Sequence, residues 1–143
     1  MGKTAGTSAA DRNQVSEPIQ PIANPYLAAV IAWLIPGAGH AFLGRWGRAV
    51  IFFVLVLTCA AIGVMLDGRL YTFDNAQRFL HWVAATGAFG LGIPYLVLHH
   101  GMGYQGDPAS ASYEYGTAFL ITASLMNCLL LLDAWDIARG VKD

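Results

Sequence analysis

Residues 1–24 are polar and small, with Lys3, Asp11, Arg12 and Glu17 scattered among Ser, Thr, Asn and Gln. Such a segment buries too little apolar surface to order itself, so it is expected to form a polar tail. Four apolar runs follow, at about 25–43, 49–66, 79–98 and 115–139. In lipid the backbone must satisfy its own hydrogen bonds, and the alternation typical of barrel strands is absent, so each run predicts a helix. Asn24 is a suitable N-cap for the first run. Pro25 suits the first helical position, where its missing N–H has no partner to lose. Ala49 to Leu66 carries no charge and is bracketed by Arg48 and Asp67. As a helix it spans roughly 27 Å, close to the hydrocarbon thickness. Trp82, Tyr95 and Trp135 stand where interfacial aromatic belts form. The pattern predicts an all-α polytopic membrane protein of four transmembrane helices in residues 25–143, with short loops at 44–48 and 67–78 and a longer one at 99–114.

The first run is interrupted. "WLIPGAGHAFLGRWGR" (Trp33 to Arg48) places Pro36, Gly37, Gly39, His40, Gly44, Arg45, Gly47 and Arg48 between two apolar stretches. Pro36 cannot donate to the Ala32 carbonyl, and Gly37 and Gly39 permit non-helical dihedrals. Unwound backbone at this depth has to be covered by protein or water, most simply by the second helix returning in a tight hairpin. Arg45 and Arg48 can snorkel to headgroup phosphates, with Trp46 as a wedge between them. His40 can hydrogen-bond the freed carbonyls, and imidazole is the side chain that changes charge near neutral pH.

Composition agrees with a membrane protein. Hydrophobic residues make up 56 % and charged residues 12 % of the chain, the latter about half the share usual in soluble proteins. Mean hydropathy is +0.50. A net charge of −1 offers no basic field for nucleic acid. Cys59 and Cys128 lie inside apolar runs and read as small buried hydrophobes. With four spans, the tail, the 67–78 loop and the C-terminus share a side and hold Lys3, Arg12, Arg69, Arg78, Arg139 and Lys142, against Arg45 and Arg48 opposite. Six against two predicts both termini in the cytoplasm.

Candidate chemistry is sparse. Ala84, Ala88 and Gly92 form a small-residue ridge that lets another helix approach. Asp133 and Asp136 share a helix face, and Asp136 can pair with Arg139 at the surface. Carboxylates near the membrane raise proton or ion handling as a reading. Asn127, deeper in the same run with Ser124 one turn before it, is suited to interhelical hydrogen bonding. His99 and His100 could ligate a metal or tetrapyrrole, although neighbours on a helix point about 100° apart; an interfacial role is the simpler reading. "GMGYQG" (Gly101 to Gly106) matches a dinucleotide-binding pattern in letters only, since it follows a helix and not a strand. No Ser/His/Asp or Cys/His constellation is evident.

"NPYLAAVIAWLIPGAGHAFLGRWGRAVIFF" resembles a bacterial hairpin signature, Pro-Gly-x-Gly-His-x-aromatic-x-Gly-Arg followed by a second helix. "EYGTAFLITASLMNCLLLLDAWDIARG" is similar to the C-terminal part of uncharacterised bacterial four-helix membrane proteins that share it. A more distant similarity is to the two-transmembrane-helix domain superfamily, from which the chain departs in having Ala41 after His40 and a shorter spacing to Gly44. These resemblances imply topology and bring no reaction. The expectation is a non-enzymatic protein of a bacterial inner membrane. It would act as a scaffold or accessory subunit packed on lipid and other membrane subunits, with an energy-transducing or photosynthetic assembly as one suitable host. The alternative is a small-ligand, lipid or ion binding or transport protein using His40 and the broken first helix, or the Asp133/Asp136 face. No cofactor is expected.

Overall fold

Helix α1, Pro25–Leu34, begins as its sequence dictates. Asn24 Oδ1 accepts from the amides of Tyr26 (3.1 Å) and Leu27 (3.5 Å). The computed structural model describes residues 23–75 and 78–141, so the expected polar tail, Lys3, Arg12 and Lys142 lie outside the described residues. α1 stops at Ile35, whose backbone is extended. Gly37 then adopts φ 79°, a left-handed conformation that costs glycine little. Helix α2, Ala38–Phe42, follows and runs back along α1. A Cβ built on Gly39 would lie 2.6 Å from Ala32 Cβ and 3.0 Å from the Ala28 carbonyl oxygen. On one continuous helix Ala28 and Gly39 would be about 16 Å apart, so the chain has reversed. At about 15 Å, α1 covers half a hydrocarbon layer.

The two long helices lie antiparallel. α3, Trp46–Met65, has 20 residues and α6, Tyr113–Ala138, has 26, and both are long and apolar enough to cross a membrane. Their boundaries fall within a turn of those expected for the second and fourth runs. Gly63 and Gly68 press on Gly116 at one end, while Gly39 meets Ala134 at the other. Val56, Ala60, Ala123 and Leu130 fill the interior between them. Val50, Ile51, Val54 and Leu55 are exposed along α3, as are Leu125, Leu129 and Leu132 along α6. These are aliphatic outer faces suited to lipid.

The third run is also broken. α4, Phe79–Phe89, ends at Gly90. Gly92, with φ 73°, opens the short α5, Ile93–Leu96, which passes into a π turn at Val97–Gly101. The two halves are bent by 116° and make a third span only if the bent pair counts as one. The chain then returns to the end it started from. His81 packs edge-on to Tyr71 (5.8 Å), Tyr104 Oη donates to the Gly68 carbonyl (2.9 Å), and the Asp107 amide donates to Asp67 O (3.1 Å). Among the described residues there is no strand, and two to three helical segments qualify as spans. The four continuous helices expected from hydropathy thus become two long helices and two bent segments.

Candidate functional site between the two bends

The bends at Pro36 and Gly92 approach from opposite ends of the bundle and meet against α6. A Cβ on Gly92 would collide with the Trp33 carbonyl oxygen, so only glycine fits where the start of α5 meets the end of α1. The Trp33 indole Nε1 donates to the Phe89 carbonyl at 3.0 Å. Asn127 Nδ2 donates to Gly90 O (2.8 Å) and to Trp33 O (3.2 Å). The amide must face this way, since a flip would set its oxygen against two carbonyls. One side chain from α6 therefore ties together the C-terminal ends of α1 and α4, where carbonyls have lost their helical partners. Asn127 is fully buried, and its Oδ1 has no hydrogen-bond partner among the described residues. Both half-helices direct the negative ends of their dipoles here.

Further along α6, about 9 Å from Asn127 by helical rise, Asp133 meets His40. Gly39 lets α2 lie directly on α6, at 2.9 Å from its would-be Cβ to Ala134 Cβ, and this brings the next residue to the carboxylate. His40 Nε2 is 3.0 Å from Asp133 Oδ2. With Asp133 ionised, Nε2–H donates and Nδ1 keeps a lone pair. The ring is completely buried, stands edge-on to Phe52 at 5.1 Å, and its Nδ1 has no partner among the described residues. Asp133 is one-third exposed, so the pair reaches from the interior to the surface.

The other expected residues are dispersed. Pro36 and Gly37 form the first bend, and both are buried. Arg45 is half-buried at the N-cap of α3, while Arg48 is exposed in its first turn. Asp136 is half-buried one turn beyond Asp133, and Arg139 is exposed at the C-cap. Ala84, Ala88 and Gly92 do not form one ridge: Ala88 is buried in the core, α4 ends before Gly92, and Gly92 belongs to the bend. His99 and His100 were expected to diverge, yet in the π turn their rings are 4.4 Å apart, and His99 Nε2 lies 3.2 Å from Asp74 Oδ2. Among the described residues no three His, Cys, Asp or Glu side chains are grouped to hold a metal. Cys59 and Cys128 are free and half-buried. An apolar crevice of about 640 Å³ lies beside the first bend, between α3 and α5, with Pro36, Leu57, Ala61 and Pro94 in its walls.

Trp33 and Gly90 carry this junction and were not singled out from the sequence. The available signal was a tryptophan in the last turn of a broken helix, whose N–H needs an acceptor when buried. A family model described as a family of unknown function, DUF6677, matches residues 27–143, which include both bends, His40, Asn127 and Asp133. No curated protein and no solved structure matches the chain.

Proposed function

The chain belongs to DUF6677, a family of unknown function, and from that premise we propose that it is a non-enzymatic protein of a bacterial inner membrane that handles a proton or small cation. In this reading α3 and α6 span the bilayer. Segments 25–42 and 79–101 dip in from opposite faces and turn back at mid-depth. Broken helices of this kind are tolerated in membranes where protein covers the freed backbone, which is the part taken by Asn127 and Trp33. In transport proteins, half-helix C-termini and unwound carbonyls serve cations.

The carrying observation is His40, wholly buried, with one nitrogen on Asp133 and the other without a partner among the described residues. A buried polar atom left unpaired costs about 1–3 kcal/mol, a poor choice for a residue that only fastens α2 to α6. The lone pair of Nδ1 is a proton acceptor. Asp133 supplies both the compensating charge and, being partly exposed, the connection to water. The proposed step passes a proton across the ring. Nδ1 exchanges one with the interior, where Asn127 Oδ1 and the helix ends form a deeper, electronegative station, while Nε2 exchanges one with Asp133, whose partly exposed carboxyl exchanges it with water.

Orientation follows from charge. Arg45, Arg48 and Arg139 lie at one end of the bundle and Arg69 and Arg78 at the other. Counted in sequence with the segments that begin at Ala23 and end at Val141, Lys3, Arg12 and Lys142 are grouped with the first end. Six against two puts both termini in the cytoplasm.

The test is proton flux in liposomes with a pH dye inside and a potassium diffusion potential applied. Wild-type protein is expected to acidify the lumen faster than protein-free vesicles, and His40→Gln and Asp133→Asn to abolish the difference. Wild-type flux equal to that of empty vesicles, or unchanged by either substitution, would overturn the reading. A second reading, an accessory subunit of a larger membrane complex, rests on the exposed aliphatic faces of α3 and α6. It is the weaker because the small residues expected to receive a partner helix are used inside the chain.

A further inference from the structure

At the end of the bundle opposite His40, a cavity of about 360 Å³ is walled by Arg69, Tyr71, His81, Gln105 and Tyr113. It is assembled from the loop after α3, the first turn of α4, the return from the second bend and the first residue of α6. Its position is set by backbone anchors: Arg69 N donates to Thr117 Oγ1 (2.8 Å) and Tyr104 Oη to Gly68 O (2.9 Å). The Arg69 guanidinium lies over the Tyr71 ring, 5.2 Å from its centroid. No carboxylate lines the cavity, and among the described residues Arg69 has no ion-pair partner. The 26-residue α6 begins at Tyr113, with the exposed Glu114 next to it in the first turn. A half-buried, unpaired arginine with phenol, imidazole and amide groups around it is suited to an anion that also accepts hydrogen bonds.

A second cavity, of about 380 Å³, shares Tyr71 and His81 with the first. Its remaining walls are Arg78, Phe79, Leu80 and Ala84, along the outer side of α4. Phe79 and Leu80 are largely exposed, at 79 % and 78 %. A polar, cationic chamber therefore continues into an apolar groove beside a membrane-embedded helix. That sequence of surfaces matches one molecule with a charged head and a hydrocarbon tail.

We infer that this is a binding site for one anionic phospholipid, with its phosphate on Arg69 and an acyl chain against Phe79, Leu80 and Ala84. Arg69 and Arg78 both repel an amine, so a polyol headgroup is favoured over a zwitterionic one, and Gln105 and Tyr113 can meet its hydroxyls. A free phosphate would use only the first chamber. The inference rests on the membrane reading but not on His40.

Native mass spectrometry of the full chain, released from nanodiscs of equal phosphatidylglycerol and phosphatidylcholine, tests it. One phosphatidylglycerol is expected to stay bound. Arg69→Gln should weaken retention roughly tenfold, the equivalent of one charge-assisted hydrogen bond. Leu80→Gln, on an exposed surface, should weaken it without affecting folding, and His40→Gln should leave it unchanged while altering flux. Equal retention of both lipids, or indifference to both Arg69→Gln and Leu80→Gln, overturns the site. Inorganic phosphate bound in an Arg69-dependent way with no lipid preference overturns the lipid assignment in favour of a soluble anion.

Discussion

Asn127→Leu removes the junction of the two bends at nearly constant volume, and its effect can be worked out from the contacts. The amide donates to Gly90 O at 2.8 Å and Trp33 O at 3.2 Å in a site closed to water. Leucine leaves both carbonyls without that donor, at about 1–3 kcal/mol each for a buried group. It also removes Oδ1, which has no partner among the described residues, and recovers about 1–3 kcal/mol. The net loss is on the order of 1–3 kcal/mol, at the upper end of what single hydrogen-bonding side chains contribute inside membrane proteins. Asn127→Asp should be worse, because it sets a carboxylate against the same two carbonyls and the negative ends of α1 and α4. The assay is SDS-driven unfolding in mixed micelles. Near-ultraviolet circular dichroism would report on Trp33, whose indole is held by Phe89 O at 3.0 Å. The expected order of stability is wild type, Asn127→Leu, Asn127→Asp. If Asn127→Leu were as stable as wild type, or if the two variants were equal, α6 would not be what holds the bends together.

Gly39→Val should lift α2 from α6, because its Cβ would meet Ala32 Cβ at 2.6 Å and Ala134 Cβ at 2.9 Å. A loss of about 1–3 kcal/mol in the same unfolding assay is expected, together with loss of the His40–Asp133 hydrogen bond in imidazole nitrogen NMR. In a background with Cys59 and Cys128 replaced by alanine, cysteines at Trp46 and Arg139 should react with a membrane-impermeant maleimide from the same side, and one at Gln105 from the other. Labelling of Trp46 and Arg139 from opposite sides would mean that the third run crosses the membrane. Burial, with Asp67 and Tyr113 nearby, pushes the Tyr104 hydroxyl above the ordinary tyrosine range. The fold therefore holds this proton more tightly than the unfolded chain does. The corresponding stability is complete below about pH 10 and is lost as pH rises through the raised value. Tyr104→Phe should remove that alkaline loss and lower neutral-pH stability by about 1 kcal/mol, read by thermal melts at pH 8 and pH 11.

The long helices were legible because nothing interrupts them. Residues 46–65 and 113–138 contain no proline, and apolar side chains predominate along their outer faces. The cap at Asn24 and the break at Pro36 were also readable, since each depends on one residue's own chemistry. What hydropathy could not convey was direction. A proline followed by glycine reads the same whether the chain continues beyond the break or turns back along itself, and an apolar run of eighteen or so residues suits one span or two half-length arms. The reversal depends on Gly39 fitting against Ala28, Ala32 and Ala134, a contact between segments about 95 residues apart in sequence. The second bend was hidden for a similar reason. Pro94 is where proline chemistry alone would set a kink in the third run, whereas the turn is made earlier, at Gly90 to Gly92, where Trp33 and Asn127 supply the missing donors. His40, Asn127 and Asp133 were each singled out as polar residues in apolar surroundings. Their assembly around α6 follows only once the first segment doubles back.

The two reversals together, at 25–42 and 79–101, exchange positive charges between the two sides without altering their ratio. With four spans, Arg69 and Arg78 accompany the termini, and Arg45 and Arg48 stand opposite. With two, the pairs trade places, and the count remains six against two. The predicted orientation of the termini is therefore the same whether both broken segments span or both turn back, but the sides of Arg45, Arg48, Arg69 and Arg78 are not. In the two-span arrangement the His40–Asp133 pair opens toward the arginine-rich end, beside Arg45, Arg48 and Arg139, while the unpaired Arg69 faces the other compartment. A proton taken up at Asp133 would come from the cytoplasm under this arrangement. An anionic lipid held by Arg69 would belong to the outer leaflet. The two proposed sites thus address opposite sides of one membrane, and the side from which Trp46 is labelled decides both assignments together.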